Sequence, residues 1–340
     1  MERAEELGRL IGMLLEEDPR RLGDLDVPED EDARYDLWRS LVNVREPREA
    51  AADYLRAEDV FLRGERERRG TVAIDEIRDP EPVQSAYASY PTYPSYPTSE
   101  GSADSAGGPT VQGASANEQN GISGTSWGGA ASRGGAAGRG GLPAFPELLV
   151  WRGDITRLAV DAIVNAANSR MLGCFEPCHD CIDNCIHTCA GVRLRLACAE
   201  LMDAQGTPEP TGRAKVTPAF NLPSRFVIHT VGPIVSGGRP TRRDAELLAS
   251  CYESCLDAAA ERNLASIAFC SISTGVFGYP KREAAEIAIE TVRTWYANRL
   301  AGSHSPGDGH SHGGRVPQTI VFDVFSEADE QIYRELLSAR

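Results

Sequence analysis

The spacing of hydrophobic positions changes character along the chain. Residues 3–17 set Leu7, Leu10, Ile11, Leu14 and Leu15 on one side at helical intervals, and Pro19 ends that pattern. Residues 32–44 repeat it with Tyr35, Leu37, Trp38, Leu41 and Val42, and residues 49–62 with Ala52, Leu55, Val60 and Phe61. From Leu148 onward, short apolar runs alternate with helical stretches. LLVWRGDIT (148–156) predicts a strand ending in a Gly-Asp turn, and VDAIVNAA (160–167) a buried strand. Residues 181–202 predict one long helix. RAKVTPAF (213–220) and SRFVIHTVGP (224–233) predict two more strands, and residues 242–262 a helix. SIAFCSIS (266–273) is a fully apolar strand, residues 281–300 a helix, TIVFDVF (319–325) a strand and residues 327–337 a closing helix. Strands alternating with helices predict an α/β fold, a three-layer α/β/α sandwich on a mixed, largely parallel sheet, with a small N-terminal helical segment.

Between these two parts the periodicity disappears. SAYASYPTYPSYPT (85–98) spaces Tyr87, Tyr90, Tyr93 and Tyr96 three apart among prolines, which favours polyproline II over helix. Gly, Ser and Ala then dominate up to Gly141, a composition that buries too little apolar surface to offset the entropy of ordering. Residues 80–146 therefore read as a disordered low-complexity linker or insertion, with a tyrosine-rich binding segment as the sharper alternative. The expected organisation is a helical extension over 1–79, this linker, and an α/β domain over 147–340.

A formal net charge of −15 argues against generic nucleic-acid binding, which needs a basic surface facing phosphates. An anionic ligand would be met by backbone N–H groups and helix N-termini. The chain has no apolar run long enough to span a bilayer and begins without a signal-peptide pattern, so the default expectation is a cytoplasmic protein. Its 9 cysteines all fall between Cys174 and Cys270; an odd, clustered set reads as metal binding or burial rather than a disulfide framework.

The chemistry concentrates in two loops. Ligands of such sheets bind outside the carboxyl ends of the strands. NAANSRMLGC (165–174) and SISTGVFGYP (271–280) both leave apolar strands there, and Gly275 and Gly278 allow a diphosphate to approach the backbone. Together they favour a dinucleotide-like ligand. After the first loop, Cys174, His179 and Cys181 offer the thiolate and imidazole ligands zinc prefers, and three protein ligands leave a fourth position for water or substrate. Cys178, Cys185 and Cys189 compete as ligands. Cys181, Cys185 and Cys189 also share one helix face, where small thiols are common core residues. Asp183 and His187 are four apart on that same helix, so the carboxylate either orients and deprotonates a water or simply complements the helix dipole. His187 fits a hydrogen-bonded helix residue equally well. His229 reads as a packed strand residue, and His304, His310 and His312 as a polar loop prone to adventitious metal binding.

GDIT (153–156), VDAIVNAAN (160–168), TGRAKVT (211–217), VIHTVGP (227–233) and STGVFGYP (273–280) together resemble macrodomain signatures. Ordinary MacroD-type members carry a glycine-rich loop followed by an aspartate and an IHRAAG-like helix. Here GCFEPCHDC (173–181) replaces the glycine run and IDNCIHTCAG (182–191) follows. That departure, with LVNVREP (41–47), resembles the zinc-dependent macrodomain branch: protein-ADP-ribose hydrolases associated with sirtuin-like ADP-ribosyltransferases in microbes. The resemblance implies that Asp154 accepts from the adenine amino group, with the Ile155 N–H nearby, and that Asn168 faces the distal ribose. It implies one Zn²⁺ per chain on Cys174, His179 and Cys181, with Asp183 beside the reacting water. Ser273, Thr274, Gly275, Val276 and Phe277 would line the diphosphate, Phe277 reaching the distal ribose. The implied activity is removal of mono-ADP-ribose from protein, ester-linked to Asp or Glu, with catalysis by Asp183 and Asn168. A lipoylated glycine-cleavage H-like protein is the substrate suggested by the branch's associations. The alternatives are an ADP-ribose-binding reader whose zinc is structural, and an O-acetyl-ADP-ribose deacetylase.

Overall fold

The computed structural model describes residues 3–23, 25–78, 145–302 and 315–339. Almost all of the 80–146 tract, and His304, His310 and His312, lie outside the described residues. The helical N-terminal stretch and the α/β part belong to one compact unit.

The N-terminal stretch folds as α1 (Arg3–Glu17), the single turn α2 (Pro19–Leu22), α3 (Glu31–Val44) and α4 (Ala52–Arg69). Asp30 caps α3, its carboxylate accepting from Ala33 N at 2.9 Å. Leu7, Leu10, Ile11 and Leu14 of α1 pack with Trp38, Tyr54 and Phe61 into a second small core, and Val192 from the α/β part closes it. The helices therefore bury their apolar faces against the α/β part as well as one another. Two short elements follow, β1 (Val72–Ala73) and α5 (Ile74–Arg78).

The sheet is built from β2 (Glu147–Arg152), β4 (Ala162–Ala167), β5 (Ala214–Pro218), β6 (Phe226–Val231), β7 (Ser266–Phe269) and β8 (Thr319–Val324), in the order β2-β8-β7-β4-β6-β5. All neighbours are parallel except β5, which runs antiparallel to β6 at one edge and carries Pro218 where an edge tolerates it. β1 pairs separately with β3 (Leu158–Ala159). Successive side chains of a strand face opposite ways, and β7 and β8 are buried at every residue, so both faces of the sheet are covered. That is why these strands read as continuous apolar runs. β4 is flanked by β6 and β7, and the chain leaving it builds β5 and β6 on one side before β7 and β8 on the other. Such a reversal opens a crevice at the carboxyl ends of the central strands.

Two expectations need correction. The helix predicted over 181–202 is two helices, α6 (Ile182–Ala190) and α7 (Val192–Gln205), broken at Gly191 with φ 89° and ψ 173°. A Cβ there would lie 2.7 Å from Glu58 Oε2, so a carboxylate from α4 packs against the break. The strand predicted over 266–273 stops at Phe269, because the chain turns and Ser273 takes a left-handed φ of 65°. The remaining helices α8 (Arg242–Glu261), α9 (Lys281–Gly302) and α10 (Glu327–Ser338) fall as the periodicity predicts.

Candidate active site

β2 and β8 set one end of the site. Gly153 N donates to Val324 O at 3.1 Å, so Asp154 and Phe325 leave the sheet side by side. Phe325 is 83% exposed, an aromatic face at a strand end that the apolar run VFDVF gave no reason to single out. Asp154 caps a 3₁₀ turn over Ile155–Arg157: its Oδ1 accepts from Thr156 N at 3.0 Å and Thr156 Oγ1 at 2.6 Å. Its Oδ2 accepts from Arg69 Nη1 of α4 at 3.2 Å. Ile155 is fully buried beneath.

β4 sets the centre. Asn165 lies on this buried strand and donates from Nδ2 to Asp183 Oδ1 at 2.8 Å. Asn168, just past the strand, donates from Nδ2 to Gly173 O at 3.0 Å and lies 3.4 Å from Asp183 Oδ2. The two residues expected to share the chemistry, Asn168 and Asp183, are thus in contact. Asn165 is the partner the sequence did not reveal; an amide inside an otherwise apolar strand was the available signal. Burial pushes the Asp183 carboxyl up to about 6, against the Asn165 hydrogen bond, the Arg195 charge and the Asn168 hydrogen bond. His187 is also buried, with Nε2 3.5 Å from Asp183 Oδ1 but neither ring nitrogen hydrogen-bonded, and burial, then His229 and Arg195, keep it neutral. The alternative of a hydrogen-bonded helix histidine does not hold. Gly173 packs on that ring: with φ 83°, a Cβ would come within 2.9 Å of it. His229 is a packed strand residue, held by Asn165 Nδ2 at 3.1 Å and Thr217 Oγ1 at 2.9 Å.

The loop between Gly173 and α6 brings Cys174, His179 and Cys181 together, their ligand atoms all within 4.8 Å of one another. Cys174 Sγ and His179 Nδ1 are 3.5 Å apart. Tetrahedral zinc, with Zn–S about 2.3 Å and Zn–N about 2.0–2.1 Å, sets its sulfur and nitrogen ligands roughly 3.6 Å apart. The donor set and its spacing therefore fit zinc. Cys181 is the N-cap of α6, its Sγ accepting from Asn184 N at 3.4 Å, where the helix dipole favours a thiolate. Burial, with Cys174 and Asp183 nearby, otherwise pushes that thiol up to about 12. Cys178 is turned to α3 instead, its Sγ donating to Asp36 O at 3.3 Å, and Cys185 and Cys189 ride on α6 outside the trio. A zinc ion on three such protein donors would keep a fourth position for water or substrate, as catalytic zinc sites do.

The second loop faces this edge from β7. Ser273 is buried with a left-handed φ of 65° and no hydrogen-bond partner at Oγ. Thr274 Oγ1 donates to Ser271 O at 2.9 Å, and Phe277 O accepts from Val235 N at 2.7 Å, tying the loop to the segment after β6. Gly275 and Val276 are exposed, with open space where a Gly275 Cβ would lie. A phosphate can reach the backbone there.

The profile of the Macro domain family matches residues 164–288. The protein-ADP-ribose hydrolase of Treponema medium is 43% identical over 329 residues, which cover 97% of this chain and 97% of that one. The protein-ADP-ribose hydrolase of Staphylococcus aureus (strain MRSA252) is 49% identical over 188 residues, 55% of this chain and 65% of that one. A Fusarium oxysporum f. sp. cubense protein, described as a probable bifunctional ADP-ribose hydrolase/ADP-ribosyltransferase, is 43% identical over 195 residues, 55% of this chain and 30% of that one.

Proposed function

Because the chain belongs to the macro-domain protein-ADP-ribose hydrolases, we propose that it is a zinc-dependent enzyme that releases mono-ADP-ribose from modified proteins, at ester links to Asp or Glu. The observation that carries the zinc dependence is the convergence of Cys174, His179 and Cys181 on the sheet edge that holds Asn168 and Asp183. Zinc held by these three residues would supply an electrophilic centre there.

The chain's own residues do the rest. Asp154 accepts from the adenine amino group while the adjacent Phe325 offers a face for the base to stack on. Ser273 to Phe277 receive the diphosphate through backbone N–H groups. Asn168 and Asp183 meet the distal ribose. As a carboxylate, Asp183 is held by two amides. In that state it orients a water and accepts its proton as the oxygen attacks the anomeric carbon. The bond from that carbon to the ester oxygen breaks, and the Asp or Glu side chain leaves as a carboxylate. A lipoylated glycine-cleavage H-like protein is the proposed substrate protein. A sirtuin-like ADP-ribosyltransferase is its proposed source, a pairing supported by the two activities in the Fusarium relative's name.

The test incubates metal-assayed protein with Glu-linked and Ser-linked mono-ADP-ribosylated proteins and with O-acetyl-ADP-ribose, with and without chelator, and follows free ADP-ribose. Release from the Glu-linked protein that stops on chelation and returns with zinc is expected. Release unaffected by chelation overturns the metal dependence, and binding without release makes the protein a reader. Turnover of O-acetyl-ADP-ribose alone moves the substrate to the small metabolite.

A further inference from the structure

The loop that carries the three metal ligands has no regular secondary structure of its own. Its shape is imposed by α3, a helix far away in the sequence. Arg39 is nine-tenths buried and donates from Nη2 to His179 O at 2.8 Å, to Asp180 Oδ1 at 3.2 Å and to Asn184 Oδ1 at 3.2 Å. Asn43, one turn further along α3, accepts from Cys178 N through Oδ1 at 2.9 Å and donates through Nδ2 to Thr188 Oγ1 at 3.0 Å. Both side chains thus bridge the loop to α6, whose N-cap is the ligand Cys181. Asn184 completes the frame by donating to Glu176 O at 3.0 Å. Cys178 has a left-handed φ of 53°, unfavourable for a residue with a side chain, and both its N–H and its thiol are taken by α3. Arg195 of α7 locks the arrangement from behind, donating to Leu172 O at 2.7 Å and to Val42 O at 2.9 Å.

We propose that the N-terminal helical segment completes the metal site, with Arg39 and Asn43 as positioning residues that hold the 174–181 loop in its ligand-converged shape. The inference rests on the zinc reading of the Cys174, His179 and Cys181 trio. Partners that orient ligand residues typically change metal affinity about 10–100-fold when removed. Arg39 acts on the backbone of His179, a ligand residue, so its loss frees one ligand of three while leaving the ADP-ribose loops alone.

The experiment measures zinc affinity of the full chain by competition with a chromophoric chelator, together with kcat at limiting and saturating zinc. The variants are Arg39→Met, Arg39→Lys, Asn43→Ala, Cys174→Ser and Asp59→Asn. Asp59 pairs with Arg193 and accepts from Asn221, so its variant loosens the docking of α4 without touching the loop. Zinc affinity is expected to fall 10–100-fold in Arg39→Met and Asn43→Ala and to recover in part in Arg39→Lys. Asp59→Asn keeps wild-type affinity, and kcat of Arg39→Met returns at saturating zinc. Wild-type affinity in both Arg39→Met and Asn43→Ala overturns the proposal, as does an equal loss in Asp59→Asn, which would reduce the effect to general loosening. Wild-type protein that takes up no zinc overturns the zinc reading itself. Uptake lost in Cys174→Ser upholds that reading and leaves the Arg39 and Asn43 results to decide this inference alone.

Discussion

Arg69 and Asp154 are 85 residues apart and meet beyond the carboxyl end of β2, Nη1 to Oδ2 at 3.2 Å. The same Nη1 donates to Thr156 Oγ1 at 2.9 Å, and Thr156 in turn holds the other carboxylate oxygen. The carboxylate is therefore oriented from both sides before any ligand arrives. Arg69→Ala should weaken ADP-ribose binding about ten-fold, some 1.4 kcal/mol, in a calorimetric titration. Tm should change little, because a partly exposed ion pair contributes only about 0–1 kcal/mol to folding. Tighter binding would instead mean that Arg69 competes with adenine for the carboxylate.

Asn165 holds Asp183 by the shorter of its two amide contacts, 2.8 Å against 3.4 Å from Asn168. Burial favours the protonated acid, and this hydrogen bond favours the carboxylate. A reaction that needs the carboxylate therefore gains rate as pH rises through the pKa that this balance sets. Asn165→Ala should move that rise in kcat/KM to higher pH. Asp183→Asn should cost about 10²–10⁴ in turnover, the usual contribution of a proton-transfer group, while ADP-ribose still binds. A pH profile unchanged in Asn165→Ala would remove Asn165 from the site.

How much of this was legible in the sequence depends on the range of the interactions involved. β4, β6, β7 and β8 were readable because strands covered on both faces are buried at almost every position and mostly apolar. The loops at their carboxyl ends follow from that, and Cys174, His179 and Cys181, one of the ligand sets the spacing left open, lie together. What escaped is long-range. The continuation of α4 to Arg69 passes through RGERERR, which has no apolar period to reveal it. At the break Glu58, 133 positions before Gly191, accepts from Val192 N, and the helical pattern runs through it unmarked. Arg39, Asn43 and Arg69 are polar positions of the N-terminal helical segment that its apolar period does not mark. Their partners lie in the α/β part, and nothing local names them.

Glu58 is fully buried and accepts from Val192 N at 3.0 Å and Tyr54 OH at 3.0 Å, capping the start of α7. Burial raises its carboxyl to about 7, against a usual 4.5. The folded chain therefore binds this proton more tightly than the unfolded chain. Its contribution to stability is complete below about pH 4.5 and is lost as pH rises towards 7. Glu58→Gln keeps an acceptor for Val192 N and cannot ionise. The variant should lose most of this slope, and denaturant melts at pH 5 and pH 8 should differ by roughly 2–3 kcal/mol less than in the wild type. Equal slopes in both proteins would mean that Glu58 ionises without penalty.

Gly232, after β6, lies against the loop that follows β7. A Cβ there would lie 2.0 Å from Ser273 Oγ and 2.9 Å from Ile272 Cγ2, so both buried neighbours would have to shift. Gly232→Ala must therefore displace the loop, at the 1–3 kcal/mol or so that overpacking costs, and should lower both Tm and ADP-ribose affinity without loss of zinc. Ser273 also holds a φ of 65° that glycine adopts freely. Adding Ser273→Gly removes the obstructing hydroxyl and the backbone strain together, so the double variant should regain the lost Tm. A double-mutant cycle in which the two changes simply add would show that the close approach of Gly232 to Ser273 is not what shapes the loop.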